Sequence, residues 1–194
     1  MVTFYLVFLS IVALERLFEV VLSRRHVARA LERGGKEYGA ERFGIMKALH
    51  IGLLISSAAE VVFLARPFIP RLGYPMLGLA VAAMALRYWA VVTLGPYWNV
   101  RVVVVPGATP VTSGPYRYLR HPNYVAVITE GLAIPLLHSA WITATWFTVL
   151  NAFALRDRIR CEEKALAEHC CYQEHLGDRP RFIPLKQVKQ GFRQ

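Results

Sequence analysis

Acidic residues and thiols are scarce in this chain. Thirteen Asp and Glu stand against twenty-three Lys and Arg, and charged residues of both signs make up only 19% of 194 positions, below the about 25% of ordinary globular domains. Three cysteines, Cys161, Cys170 and Cys171, sit near one end, and their odd number supplies no disulfide framework. No G-x-S-x-G, phosphate loop or G-x-G-x-x-G occurs, so hydrolase triads and soluble dinucleotide folds have no support. His169, Cys170, Cys171 and His175 lack the paired spacing of a zinc site, and no metal is expected.

Apolar residues, in contrast, reach 55%, and the mean hydropathy is +0.36. Such a chain has enough apolar surface to escape disorder and too little polar surface to cover a soluble globule. Residues 2–22 form an apolar run interrupted by Glu15, Arg16 and Glu19. Those charges fall where a signal peptide would be most apolar, and Arg24 and Arg25 follow in place of a cleavage site, so a retained membrane helix is expected. Residues 45–65 and 73–94 form two further runs, the latter carrying only Arg87. Each is long enough for a hydrocarbon core of about 30 Å. Val125 to Leu155 is too long for one span and is broken by Pro135 and His138-Ser139. Two short helices, about 125–137 and 140–155, are expected there as a hairpin.

The expected fold is therefore an all-α integral membrane protein with five transmembrane helices, the last two a short helical hairpin. It carries a cytoplasmic cofactor-binding loop and a C-terminal helix. One membrane-embedded domain spans 1–194, with residues 1–65 as N-terminal helices. With the N-terminus outside, residues 23–47, 95–122 and 156–194 share one face and hold nineteen Lys and Arg, against Arg66 and Arg71 opposite. Cytoplasmic loops are the basic ones, which makes that face cytoplasmic. The positive charge then has anionic lipid as its neighbour, and no nucleic-acid motif accompanies it.

Residues 94–124 differ from everything around them. The stretch LGPYWNVRVVVVPGATPVTSGPYRYLRHPNY has five prolines, three glycines and no acid. Val102–Val105 reads as extended chain and Gly114-Pro115 as a turn. His121-Pro122 reads as a helix start, because proline at the first helical position loses no needed donor. Irregular backbone beside a bilayer must be solvated or packed on protein, so this loop is expected over the cytoplasmic mouth of the bundle. Tyr116, Arg117, Tyr118, Arg120, His121, Asn123 and Tyr124 crowd into nine residues, next to a helix N-terminus suited to an anion. A second polar cluster, RDRIRCEE at 156–163, places Arg158 and Glu162 on one helical face at i and i+4. The two side chains could reach one cavity or merely pair.

VTSGPYRYLRHPNY (111–124), followed by RDRIRCEEKAL (156–166) and RFIPL (181–185), resembles the isoprenylcysteine carboxyl methyltransferases over roughly residues 73–185. Membrane sterol reductases, which use NADPH, carry a stretch similar to the first motif, and the later Arg-x-x-x-Glu-Glu favours methyl transfer. The resemblance implies S-adenosylmethionine as cofactor, held by Ala108, Thr109, Pro110, Val111, Tyr116, His121, Pro122, Asn123, Tyr124 and Glu162. It associates Arg158 with the methyl acceptor. Eukaryotic members have a histidine where this chain has Ala108, and a longer N-terminal membrane region.

Methyl transfer from a sulfonium to a carboxylate removes one positive and one negative charge together, which a dry site favours. Positioning and desolvation then suffice, without metal or covalent intermediate. The implied acceptor is lipophilic, with two classes open. An isoprenylcysteine-like carboxylate is already ionised. A hydroxyl on a long-chain polyketide lipid of the alkylpyrone or alkylresorcinol type needs a base or a low pKa. Glu130, in the fourth run, could be that base or could pair with Arg87.

Overall fold

A computed structural model describes residues 1–183 of the chain. Its elements follow in the order α1 (Val2–Glu32), β1 (Lys36–Tyr38), α2 (Ala40–Phe63), α3 (Pro70–Leu94), β2 (Val102–Val104), α4 (Pro122–Leu136), α5 (Trp141–His169) and α6 (Tyr172–Leu176). The fold is mostly helical, as the apolar periodicity predicts. It is not purely so: β1 and β2 pair antiparallel, with Lys36 opposite Val104 and Tyr38 opposite Val102. The β-branched run of 102–104 and the chain leaving α1 thus form a ribbon that the all-helical expectation lacked.

Two boundaries differ from expectation. α1 runs ten residues past its apolar segment, to Glu32, because its later half has work outside the apolar layer. Ser23 Oγ accepts a hydrogen bond from Val100 N at 2.9 Å, and His26 Nδ1 meets Trp98 O at 2.8 Å. α5 does not stop at Leu155 but continues unbroken through the charged cluster to His169. No proline or glycine intervenes, so nothing ends the hydrogen-bond ladder there. The expected C-terminal helix is the second half of α5.

α4 is the axis of the bundle. It packs most extensively on α3 and also on α5, and only fifteen residues make it up, about 22 Å at 1.5 Å per residue. Gly131 permits this closeness: a Cβ there would lie 2.2 Å from the Phe147 ring of α5. His121 caps α4 and Pro122 occupies its first turn, as the sequence predicts. The turn to α5 is made by Ser139 at φ 58, and Glu60 of α2 receives the new helix. Its carboxylate accepts from Ile142 N (3.1 Å), Thr143 N (2.7 Å) and Thr143 Oγ1 (2.8 Å). Orphan amide donors and the positive end of the helix dipole are thereby satisfied at once.

Two helical stretches, Phe43–Phe63 and Pro70–Tyr97, are long and apolar enough to cross a membrane among the described residues. α1 also turns large apolar side chains outward, Phe4, Ile11, Leu14, Leu17 and Phe18 among them. α5 does the same with Ile142, Val149, Leu150 and Phe153. The charges inside these helices are partnered. Arg87 of α3 donates to both oxygens of Glu19 (2.6 and 3.1 Å) and to Glu130 (3.3 Å), while Arg16 donates to Glu19 (2.7 Å) and Glu130 (3.0 Å). α1, α3 and α4 are pinned together by this buried cluster.

Candidate active site

At the end of the bundle that carries the basic segments, the irregular loop folds over the N-terminus of α4 and the second half of α5. Gly114 makes the turn: its φ is +54, and a Cβ there would meet Thr93 Oγ1 at 2.4 Å. A 3₁₀ turn at Gly114–Arg117 then buries Tyr116. β2 anchors the loop's other limb, since Tyr38 on its partner strand bonds His169 Nε2 at 2.6 Å and Gly107 N donates to His169 O at 2.9 Å. His175 meets Cys171 O at 3.1 Å. Among the described residues no group of three or more His, Cys, Asp or Glu is gathered as metal ligands are.

The cavity between the loop and these helices measures ≈ 150 Å³. Ala108, Thr109, Pro110, Val111, Tyr116, His121, Asn123, Tyr124, Arg158 and Glu162 all line it. Pro122 does not; it is buried at the first turn of α4, where it sets the helix start. The two motifs, more than thirty residues apart in sequence, therefore face one space. Their junction is the Tyr124 hydroxyl, which donates to Glu162 and accepts from Arg158 Nε at 2.8 Å. Arg158 and Glu162 thus meet through a third residue. The spacing alone shows their shared face but not the phenol between them.

His121 is held from behind. Its Nε2 lies 2.9 Å from Glu163 Oε1, and its ring stacks on Tyr124 at 5.2 Å. Glu163 also receives Arg181 through two bonds of 2.9 and 2.6 Å. Burial alone would raise the Glu163 carboxyl, but the bonds from His121 and Arg181 outweigh it and hold it at about 2. The segment bearing Arg181 is a strap across the loop: Arg120 N donates to Pro180 O, His121 N to Arg181 O, and Arg179 to the carbonyls of Thr112 and Tyr116. Of the RFIPL motif, Arg181 to Ile183 are described, and Pro184 and Leu185 lie outside the described residues.

Sequence reading missed several lining residues, Trp98, Asn99 and Tyr172 above all, and singled out Arg120 only as one of the polar residues crowding the loop. They share a property: Trp98 Nε1, Asn99 Oδ1, Arg120 Nε and Tyr172 Oη are buried without a hydrogen-bond partner, as is Asn123 Oδ1. Buried polar groups are nearly always paired. Five orphaned donors and acceptors around one cavity are what a polar, multifunctional ligand would satisfy. Density of aromatics and amides in the loop was the available signal for Trp98 and Asn99; nothing local marked Tyr172.

A second cavity of ≈ 110 Å³ lies between the start of α2 and α5, lined by Phe43, Ile45, Met46, Ala154, Asp157 and Cys161. Arg101, Val102 and Arg158 line both cavities. Glu130, the candidate base, lines neither and is engaged by Arg16 and Arg87.

Residues 76–168 match the model of the isoprenylcysteine carboxyl methyltransferase (ICMT) family. An uncharacterized protein of Bacillus subtilis (strain 168), YpbQ, is 38% identical over 162 residues, covering 83% of this chain and 95% of that protein. An uncharacterized protein of Haemophilus influenzae (strain ATCC 51907 / DSM 11121 / KW20 / Rd) is 24% identical over 155 residues, covering 78% of this chain and 88% of its own. The matched stretch contains both polar motifs and most of the residues lining the cavity they share, and the chain belongs to the isoprenylcysteine carboxyl methyltransferase family, a family of membrane methyltransferases.

Proposed function

We propose that the protein transfers a methyl group from S-adenosylmethionine to an anionic oxygen, a carboxylate, on a lipophilic acceptor of the isoprenylcysteine type. The observation that carries this reading is the meeting of two cavities at Arg158. The larger one is ringed by orphaned donors and acceptors that suit a nucleoside bearing an amino acid. Bound there, the cofactor supplies an electrophilic methyl group on a sulfonium. Glu162 accepts from a cofactor hydroxyl or amine, Asn123 Oδ1 from a second donor, and Trp98 Nε1 donates to an acceptor. The smaller cavity, with Phe43, Ile45 and Met46 along its wall, takes the head of the acceptor.

Arg158 holds the acceptor carboxylate by a charge-assisted pair, and Tyr124 fixes the guanidinium at its Nε, leaving the other nitrogens for substrate. An ionised acceptor needs no base, which agrees with Glu130 being bound up in the buried ion cluster. A hydroxyl-bearing polyketide lipid would have to arrive already ionised. The five-span arrangement, with the N-terminus outside and the site cytoplasmic, belongs to the same proposal; the outward apolar side chains of α1 and α5 support it.

Two measurements on the detergent-solubilised protein test the reading. Calorimetry should show binding of S-adenosylhomocysteine and none of NADPH. Radiolabelled methyl transfer, offered a farnesylcysteine carboxylate and an alkylresorcinol in parallel, should label the carboxylate. NADPH binding without adenosylhomocysteine binding would overturn the cofactor, and label on the alkylresorcinol alone would overturn the acceptor.

A further inference from the structure

A groove along the outer side of the α4–α5 pair shares no lining residue with the two cavities of the active site and encloses ≈ 360 Å³. Its wall is apolar for most of its length, with Ile128, Phe147, Leu155 and Ile159. One end is different. Arg156, Arg160 and Arg181 stand there, and no acid lines the groove among the described residues. Asn151, 3% exposed, lines it as well, and its Oδ1 has no hydrogen-bond partner. Arg181 commits Nε and Nη2 to Glu163, which leaves Nη1 for another acceptor.

We infer that this groove binds a single anionic membrane lipid. Its phosphate sits between Arg156, Arg160 and Arg181, and one acyl chain lies along Ile128, Phe147 and Leu155. The inference rests on the proposed placement of α4 and α5 in the bilayer. Charge complementarity selects the head: Arg156 and Arg160, joined by the Nη1 that Arg181 keeps free of Glu163, attract an anion from the adjoining leaflet at the cytoplasmic end of two membrane helices. The apolar wall selects a tail and disfavours a free inorganic anion, which would leave it uncovered. Because Arg181 belongs to the strap over the loop, the bound head also tethers that strap to the membrane.

The full-length protein, exchanged into detergent, would be examined by native mass spectrometry with phosphatidylglycerol and phosphatidylcholine of matched chains. The parent should retain one phosphatidylglycerol with a preference of about tenfold, the factor one charge-assisted contact supplies. Arg156→Gln combined with Arg160→Gln should bring the two lipids within about twofold of each other. Inorganic phosphate at millimolar concentration should not displace the lipid. Equal retention of both lipids by the parent, an unchanged preference in the double variant, displacement by phosphate alone, or recovery of the bound lipid in methylated form would each overturn the inference. Adenosylhomocysteine binding is read separately by calorimetry, so failure of the proposed function leaves the lipid result interpretable, and the reverse.

Discussion

Replacing Tyr124 with phenylalanine tests the junction of the site with one atom. The side chain is buried, and its ring would stay: stacked on His121 at 5.2 Å and 5.8 Å from the Arg158 guanidinium. Only the hydroxyl is lost, and with it the bond from Arg158 Nε at 2.8 Å and the bond to Glu162. Each has a charged partner, and such bonds are worth about 1.5–3 kcal/mol. Losing the fixed orientation of Arg158 in the transition state should therefore lower turnover about ten- to a hundredfold, at about 1.4 kcal/mol per decade. Cofactor binding should fall less, since Glu162 keeps its carboxylate in the cavity and the five orphaned groups are untouched. Methyl transfer with saturating labelled cofactor, beside calorimetric binding of adenosylhomocysteine, separates the two effects. Turnover within about threefold of the parent, less than one such bond supplies, would refute the claim that the phenol positions the arginine.

Arg158→Ala should abolish most turnover while adenosylhomocysteine binding persists, and lysine should rescue only in part because it lacks the planar fork; equal loss of binding and turnover would place the residue on the cofactor instead. Glu163 is held at about 2 by His121 and Arg181, so its contribution to strap docking is full above its unfolded value of 4.5 and is lost as pH falls from there through about 2. Amide-exchange protection at Arg120 and His121, which donate to the strap carbonyls, should follow that course, and should be low throughout in Glu163→Gln. Single cysteines at Lys36 and Pro70, in a background lacking the three native ones, should label from opposite membrane faces if five helices span. Arg87→Met leaves Glu19 and Glu130 to share Arg16 alone, one buried carboxylate in excess, and should cost about 3–5 kcal/mol, seen as a lowered unfolding temperature in detergent; Glu19→Gln added to it should recover part of the loss.

The helices and the two motifs were legible because their signals are local. Apolar runs of span length, Pro122 after His121, and the i, i+4 pair of Arg158 and Glu162 each depend on neighbours in sequence. The ribbon was only half legible: Val102–Val104 reads as extended, but its partner Lys36–Tyr38 carries no strand pattern and is defined by the pairing itself. Composition ends the last apolar helix at Leu155, where apolar residues give way to charged ones, whereas the backbone has no reason to break there. Tyr172 in the cavity and Glu163 behind His121 depend on how the chain returns after α5, which no local pattern encodes. Glu130 stood between two roles, and only the positions of Arg16 and Arg87 decide which it takes.

The continuity of α5 explains how one helix serves three spaces. At 3.6 residues per turn, Arg158, Glu162 and Leu166 share a face and line the larger of the two site cavities. Ala154, Asp157 and Cys161 face the second cavity, and Ala152, Arg156 and Arg160 face the outer groove. Arg158, at the edge between the first two faces, lines both. A helix broken at Leu155 would free the turns that line both cavities, Asp157 to Leu166, from the rotation set at the start of α5. Glu60, by capping the start of α5, fixes the rotation from the far end of the bundle. The acid in the second apolar run is thus a structural determinant of the site, although four turns of helix or more separate Thr143 from Arg158.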